Sequence, residues 1–180
     1  SFFVTAEVDG ADDIGINTHI GFQSSHSVED FELMKRAGFK MIRDVCWWEQ
    51  VEKTKGVYSI PQNVDDYLTS AHDNGLEPLV ILARGNTLYN MDSVFDLPVT
   101  DEQIGAFAKF CYFTASRLKG RVKYYEIWNE PDQDLRYSME QYTAVLKAAK
   151  KAVSEADPEA FVVGISAASI LEHGGVYTGY

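Results

Sequence analysis

Apolar residues follow two different spacings along the chain. Short, nearly continuous apolar segments are typical of strands buried on both faces. Segments with an apolar residue every three or four positions are typical of amphipathic helices. The two kinds alternate, which predicts five strands at residues 14–20, 39–43, 76–83, 122–128 and 161–165 with four helices between them. The stretch that follows, up to Tyr180, has no periodicity and is predicted to be a loop.

The predicted helices carry recognisable start and stop signals. Residues 100–103 and 138–141 each have the sequence of a capping box, in which a Ser or Thr is followed three positions later by Gln. Glycine or proline follows three of the apolar stripes, at Asn74-Gly75, Gly120 and Asp157-Pro158. After the second strand, the sequence instead predicts a long loop rich in Trp, Glu and Gly.

Alternating strands and helices predict an α/β fold with a parallel sheet and helical crossovers. One candidate is a five-stranded doubly wound sheet. The other is a (β/α)₈ barrel, which typically needs roughly 250 residues, so that this chain would supply about its first half. A doubly wound sheet predicts a phosphate-binding turn after the first strand, and residues 17–23 contain no such glycine pattern. The spacing of apolar residues alone leaves both architectures open.

Composition narrows the classes of partner. The net charge of −11 would repel nucleic acid and anionic lipid, whereas a neutral ligand is compatible with it. Hydrophobic residues make up 46% of the chain, enough for a sizeable core, but no apolar run has the length of a membrane span. Cys46 and Cys111 lie outside any metal-binding spacing, so we expect two buried free thiols, no metal and no cofactor.

Polar and aromatic side chains collect where the predicted strands end, the edge at which parallel α/β folds place their sites. They are Asn17, His19, Arg43, Asp44, Trp47, Trp48, Arg84, Asn86, Asn129 and Glu130. Indole rings stack on sugars, and amide and guanidinium groups hydrogen-bond hydroxyls, so this set suits a polyhydroxylated ligand. No Ser or Cys has the context of a nucleophile elbow or triad.

Two segments carry a family resemblance. Residues 125–132, Tyr-Glu-Ile-Trp-Asn-Glu-Pro-Asp, resemble the strand-four motif of the clan A glycoside hydrolases. Residues 38–43, 48–52 and 55–58 look like the strand-two region of family 39 and of family 5-like members. The resemblance implies a partial (β/α)₈ TIM barrel, with about the first five strands and four helices at 14–180 after an N-terminal lead-in at 1–13.

The resemblance also implies roles for individual residues. Glu130 would be the general acid/base of retaining hydrolysis of O-glycosidic bonds in a β-linked poly- or oligosaccharide. Asn129 would bind the hydroxyl next to the anomeric carbon, with Arg43 beneath the site and His19 and Trp47 as further substrate contacts. A secreted or periplasmic enzyme is favoured by the family.

Retaining hydrolysis needs a second carboxylate about 5 Å away as nucleophile. In the family this residue follows the seventh strand, beyond the last strand predicted here, so we expect the nucleophile to lie outside this chain. The chain alone would then be inactive and would pair with a missing half of the barrel or with itself. The alternatives are a sugar-binding barrel without activity and a doubly wound domain with another ligand.

Several candidates have a purely structural alternative. Glu130 could be a solvated loop residue, and His19 a hydrogen-bonded core histidine. Arg43 could serve only in an ion pair with Asp44 or another carboxylate. Trp48 is expected to pack in the wall rather than on a sugar.

Overall fold

A computed structural model describes residues 14–21, 28–132, 134 and 136–164, and these residues form one parallel sheet with helices on its outer face. The strands are β1 Gly15–Asn17, β2 Met41–Trp47, β3 Glu77–Ala83, β4 Tyr124–Ile127 and β5 Phe161–Gly164. The helices are α1 Val28–Arg36, α2 Trp48–Val51, α3 Gln62–Asp73, α4 Asp101–Leu118 and α5 Met139–Ala156, with a 3₁₀ helix at Thr87–Tyr89. The predicted lead-in at 1–13, residue 165 of the predicted fifth strand and the predicted loop at 166–180 lie outside the described residues.

The order of strands decides between the two predicted architectures. Each strand pairs in parallel with the next one along the chain, in the order β1-β2-β3-β4-β5. A doubly wound sheet reverses its strand order at a switch point, and no reversal occurs among the five described strands. The fold is therefore that of a partial barrel, as the resemblance implied.

The second strand is longer than the sequence predicted. Residues 39–43 were expected, but β2 runs on to Trp47, which pairs with Ala83 at the end of β3. The predicted loop after it begins with the short helix α2 instead. The polar residues Arg43 and Asp44 had suggested a strand end, whereas each has a partner within the fold that allows it to lie inside a strand.

Successive residues of β2 point to opposite faces of the sheet. Ile42, Asp44 and Cys46 are buried, while Arg43 and Trp47 alternate with them and remain partly exposed. The register then places Val45, Ile81 and Glu126 of β2, β3 and β4 at one level. Glu126 therefore lies on the same, inner face of the sheet as Val45 and Arg43, so both charged side chains are on this face.

Aromatic side chains fill the space between the sheet and its helices. Trp48 is completely buried against Tyr89, Phe107 and Phe110, so the prediction that it packs in the wall is confirmed. Both predicted capping boxes are present, at the start of α4 and of α5. Cys46 and Cys111 are buried free thiols, and burial, helped by Asp44, raises the pKa of Cys46 to about 12. Within the described part of the chain, no helix combines the length and apolarity needed to cross a bilayer.

Candidate active site

A cavity of about 570 Å³ opens at the carboxyl-terminal edge of the strands. All five residues predicted to act at the site line it: His19, Arg43, Trp47, Asn129 and Glu130. Asn17, Thr18, Val45, Ile81, Ala83, Arg84 and Phe95 complete the lining. The chain thus brings together residues from the ends of four strands, although they are spread over more than a hundred positions of sequence.

The bottom of the cavity is organised by an ion pair between β2 and β4. Arg43 donates from Nε to Glu126 Oε2 at 2.7 Å and from Nη2 to Glu126 Oε1 at 2.6 Å. The side chain of Glu126 is 3% exposed and that of Arg43 is 26% exposed. A two-point contact of this kind fixes both the position and the plane of the guanidinium. The alternative partner Asp44 is on the opposite face of β2 and does not bind Arg43.

Two amides complete this arrangement. Arg43 Nη1 donates to Asn17 Oδ1 at 2.7 Å, and Nη2 donates to Asn129 Oδ1 at 2.9 Å. Because the amide oxygen of Asn129 accepts from Arg43, its amide nitrogen is the group that can donate to a ligand. We refer to Asn17, Arg43, Glu126 and Asn129 as the floor of the cavity.

The backbone after β4 turns sharply to present the next residues. Trp128 has a φ of 68° and Glu130 a φ of 49°, both in the left-handed region that side chains other than glycine rarely adopt. Trp128 is anchored by its N–H, which donates to Leu82 O at 3.0 Å, and by its ring, which packs edge-on against Phe107. Such conformations persist only where surrounding contacts enforce them. Here the buried Trp128 holds the turn from which Asn129 and Glu130 reach the cavity.

The upper margin of the cavity is formed by a second arginine. Arg84 follows β3 with a φ of 74°, and its guanidinium carbon lies 4.4 Å from the ring centre of Phe95 and 5.3 Å from that of Trp47. One face of the Trp47 indole is therefore covered and cannot stack on a sugar. We refer to Trp47, Arg84, Phe95 and Glu130 as the rim.

The rim also gathers opposite charges. Partial burial lowers the pKa of Arg84, and the carboxylates of Glu49 and Glu130 oppose that shift. Burial raises the pKa of Glu49, and Arg84 opposes it in turn. Arg84 is thus the shared electrostatic partner of two carboxylates, one on α2 and one after β4.

His19 is exposed on the loop after β1, where it lines the cavity. Asp44 holds this loop: its carboxylate accepts from Thr18 Oγ1 at 2.6 Å, from Ile20 N at 2.6 Å and from Gly21 N at 3.1 Å. Asp44 therefore stabilises the loop that carries His19, although it does not itself line the cavity.

A buried carboxylate likewise joins the loops that follow β2 and β3. Glu52, which is fully buried, accepts from Trp48 Nε1 at 2.7 Å, Gly56 N at 2.6 Å and Tyr89 Oη at 2.6 Å. Asn86 donates to the backbone oxygen of Glu52 at 2.9 Å, so Asn86 braces the loop and does not line the cavity. No cluster of three potential metal ligands occurs among residues 14–21, 28–132, 134 and 136–164.

Glu126 is the residue of the floor that the sequence predictions missed. It lies in the recognised segment 125–132, between the apolar residues Tyr125 and Ile127 of a buried strand. A charge in such a position needs a partner, since an unpaired buried carboxylate is strongly unfavourable. This could have marked Glu126 as the counterion of Arg43.

Neither the family models nor the curated proteins include a match to this sequence. Among solved structures, it is similar to a family 39 glycoside hydrolase from the gut symbiont Bacteroides cellulosilyticus WH2, with a TM-score of 0.75 and 25% identity over 84% of this chain and 31% of that one. It is also similar to the exo-beta-1,4-mannosidase Op5Man5 from Opitutaceae bacterium strain TAV5, with a TM-score of 0.69 and 19% identity over 83% of this chain and 31% of that one.

A third similar structure is Thermotoga maritima Cel5A in complex with cellobiose, with a TM-score of 0.67 and 21% identity over 86% of this chain and 51% of that one. The chain therefore spans between 31% and 51% of the length of these three proteins. These similarities confirm the predicted resemblance to clan A glycoside hydrolases, of families 39 and 5, in the fold of the chain.

Proposed function

We propose that this chain, which has the fold of the first five strands of a clan A glycoside hydrolase barrel, carries the acid/base half of a retaining glycosidase site. The proposal depends on one observation: Glu130 and Asn129 line the same cavity, and the Arg43–Glu126 ion pair orients the amide of Asn129. The substrate is a β-linked poly- or oligosaccharide. Two of the similar proteins, the exo-beta-1,4-mannosidase Op5Man5 and Cel5A in complex with cellobiose, support that class.

Glu130 is the carboxyl group suited to proton transfer. A glycosidic oxygen leaves poorly unless it is protonated, so a carboxylic acid must reach it within the cavity. Glu130 then takes a proton from the water that attacks the glycosyl-enzyme. Glu126 is not suited to these proton transfers, because both of its oxygens accept hydrogen bonds from Arg43 and its side chain is only 3% exposed.

Asn129 has the complementary task of binding the sugar. Its oxygen is held by Arg43, so its nitrogen donates to the hydroxyl next to the anomeric carbon. Contacts to this hydroxyl strengthen as positive charge develops on the sugar ring in the transition state. The ion pair below Asn129 fixes the amide before the substrate arrives, so little reorganisation is needed during the reaction.

The nucleophile is proposed to lie elsewhere in the barrel. Retaining enzymes hold their two carboxyl groups about 5–5.5 Å apart. Of the described residues that line the cavity, Glu130 is the one carboxylate. We infer that the remaining strands supply the second one and that these 180 residues do not hydrolyse glycosides by themselves.

A sugar-binding protein without activity is the second candidate. It is favoured by the same observation, that Glu130 is the one carboxylate among the described residues that line the cavity. If the rest of the barrel offers no carboxylate opposite Glu130, the cavity would bind a sugar and leave its linkage intact. Binding of oligosaccharide without turnover by the full-length protein would decide for this candidate.

The proposal is tested by Glu130→Gln in the full-length protein that contains this chain. We expect kcat/KM to fall roughly 10²- to 10⁴-fold on natural linkages, whose leaving groups need protonation, and to fall much less on aryl glycosides with acidic phenols. Sugar affinity should persist. Glu159→Gln, an exposed glutamate before β5, is the matched control. Unchanged turnover of a natural linkage by Glu130→Gln would contradict the assignment.

A further inference from the structure

Of the two aromatic residues in the rim, Phe95 is the more exposed. Phe95 is 57% exposed and lines the same cavity as Glu130. Trp47 is partly buried, and the guanidinium of Arg84 covers one face of its indole. Single exposed apolar residues are common on protein surfaces, but Phe95 forms part of a cavity wall. Its ring is therefore accessible to a ligand in the cavity.

The short segment that carries Phe95 is closed by hydrogen bonds. Gly85 N donates to Val94 O at 2.7 Å, and Phe95 N donates to Ser93 Oγ at 3.1 Å. Asp96 Oδ2 accepts from Ser93 N at 2.8 Å. The segment also returns close to the end of β3, since a Cβ added at Gly85 would lie 2.7 Å from Asp96 O. Glycine at position 85 thus allows the close approach that places Phe95 at the cavity.

A second set of contacts joins this segment to the loop after β4. The carboxylate of Asp96 is buried, and its Oδ1 accepts from Arg136 Nη2 at 2.9 Å and from Tyr137 Oη at 3.1 Å. The guanidinium carbon of Arg84 lies 4.4 Å from the ring centre of Phe95. The Phe95 ring is therefore held from two sides before any ligand arrives, which lowers the entropic cost of binding to it.

The division between floor and rim locates Phe95 relative to the substrate. Asn129 in the floor is the group proposed to bind the sugar whose anomeric carbon reacts. Glu130 in the rim is proposed to protonate the glycosidic oxygen, beyond which the leaving group begins. Phe95 lies in the rim with Glu130. The leaving group is therefore expected beside Phe95.

We propose that Phe95 is the binding platform for the leaving-group sugar: its exposed ring stacks on the first sugar beyond the bond that is cleaved. The inference rests on the proposed function and names the substrate as a β-1,4-linked oligosaccharide of neutral pyranoses. Such a sugar carries C–H groups on its faces and hydroxyls at its edge, so a flat apolar ring can bind a face while polar groups bind the edge. The net charge of −11 is compatible with a neutral sugar at this position.

The test compares two kinds of leaving group in the full-length protein that contains this chain. One substrate series consists of β-1,4-linked gluco- and manno-oligosaccharides, and the other of the matching glycosyl fluorides, whose leaving group is a single atom. Phe95→Ala should lower kcat/KM for the oligosaccharides roughly 5- to 30-fold, the loss of one stacking contact. The value for the fluorides should change by no more than about twofold, because the floor is intact.

Three further variants separate stacking from structural effects. Phe95→Tyr keeps the flat ring and should retain most of the oligosaccharide activity, whereas Phe95→Leu keeps an apolar side chain without the ring and should lose it. Tyr112→Ala, which removes an exposed ring on α4 outside the cavity, is the matched control and should leave both substrate series unaffected. If Phe95→Ala fails to fold, Phe95→Leu gives the same comparison.

Unchanged kcat/KM for the oligosaccharides in Phe95→Ala, or an equal loss with the fluorides, would overturn the inference. Failure of the proposed function is distinct, because Glu130→Gln would then turn over natural linkages normally. If the full-length protein binds sugars without turnover, calorimetry replaces kinetics. Phe95→Ala should then remove the gain in affinity of a disaccharide over its monosaccharide, and an undiminished gain would contradict the role of Phe95.

Discussion

The floor and the rim of the cavity each contain an arginine and a glutamate, yet different contacts hold the two arginines. In the floor, Arg43 makes hydrogen bonds of 2.6–2.9 Å to Glu126, Asn17 and Asn129. In the rim, Arg84 lies over two rings and has no comparable two-point carboxylate contact among the bonds described for it. The arginine of the floor is therefore held by directed hydrogen bonds to a counterion and two amides, whereas the arginine of the rim is held by the faces of two aromatic rings.

This difference fits the separate tasks that the proposed function gives to the two regions. Preorganised groups lower the cost of reaching the transition state because they need no rearrangement during the reaction. The floor meets that requirement for Asn129. The proton transfer proposed for Glu130 instead takes place in the rim, whose aromatic and charged side chains line the open cavity. Substitutions in the floor should consequently reduce stability and activity together, and substitutions in the rim mainly activity.

The largest effect on stability is expected for Glu126→Gln. The change leaves Arg43 without its counterion beneath the cavity, which should lower the free energy of unfolding by roughly 2–4 kcal/mol, less than for a fully buried pair because Arg43 is partly exposed. Urea denaturation of the full-length protein measures this, with Glu159→Gln as the control. A loss below about 0.5 kcal/mol would mean that the floor is not held by its ion pair.

Phe95→Ala should have the smallest effect on stability. Its ring is 57% exposed, and an exposed cation–π contact with Arg84 contributes about 0.5–1 kcal/mol. The same denaturation experiment should therefore show a loss under about 1 kcal/mol. A loss as large as that of Glu126→Gln would contradict the conclusion that the floor is held more tightly than the rim.

The sequence predicted the order of elements and part of the site because those features are encoded locally. Capping residues and apolar spacing mark α4 and α5, and the segment around Asn129 and Glu130 is recognisable without tertiary information. Glu126 was missed because its partner Arg43 is 83 positions away, and their meeting depends on the order and register of β2, β3 and β4.

The contacts of the rim could not be predicted from the sequence, for a different reason. Residues 84–100 have no periodicity that would fix their path, and the contact of Arg84 with Phe95 follows from that path. Arg84 had therefore been grouped with the polar residues at the strand ends, without a role of its own. Self-association of the 180 residues and the extent of the domain stay predictions.

The central claim, that Glu130 is the acid/base, is tested most directly by azide with Glu130→Ala in the full-length protein and an activated aryl β-glycoside. The variant should form the glycosyl-enzyme but hydrolyse it slowly, because no base activates water. Azide needs no base and fits where the carboxyl group stood, so it should raise turnover about tenfold or more. The account predicts a β-glycosyl azide as product. An α-glycosyl azide as product, or a turnover rate that azide does not change, would contradict the assignment of Glu130 as the acid/base.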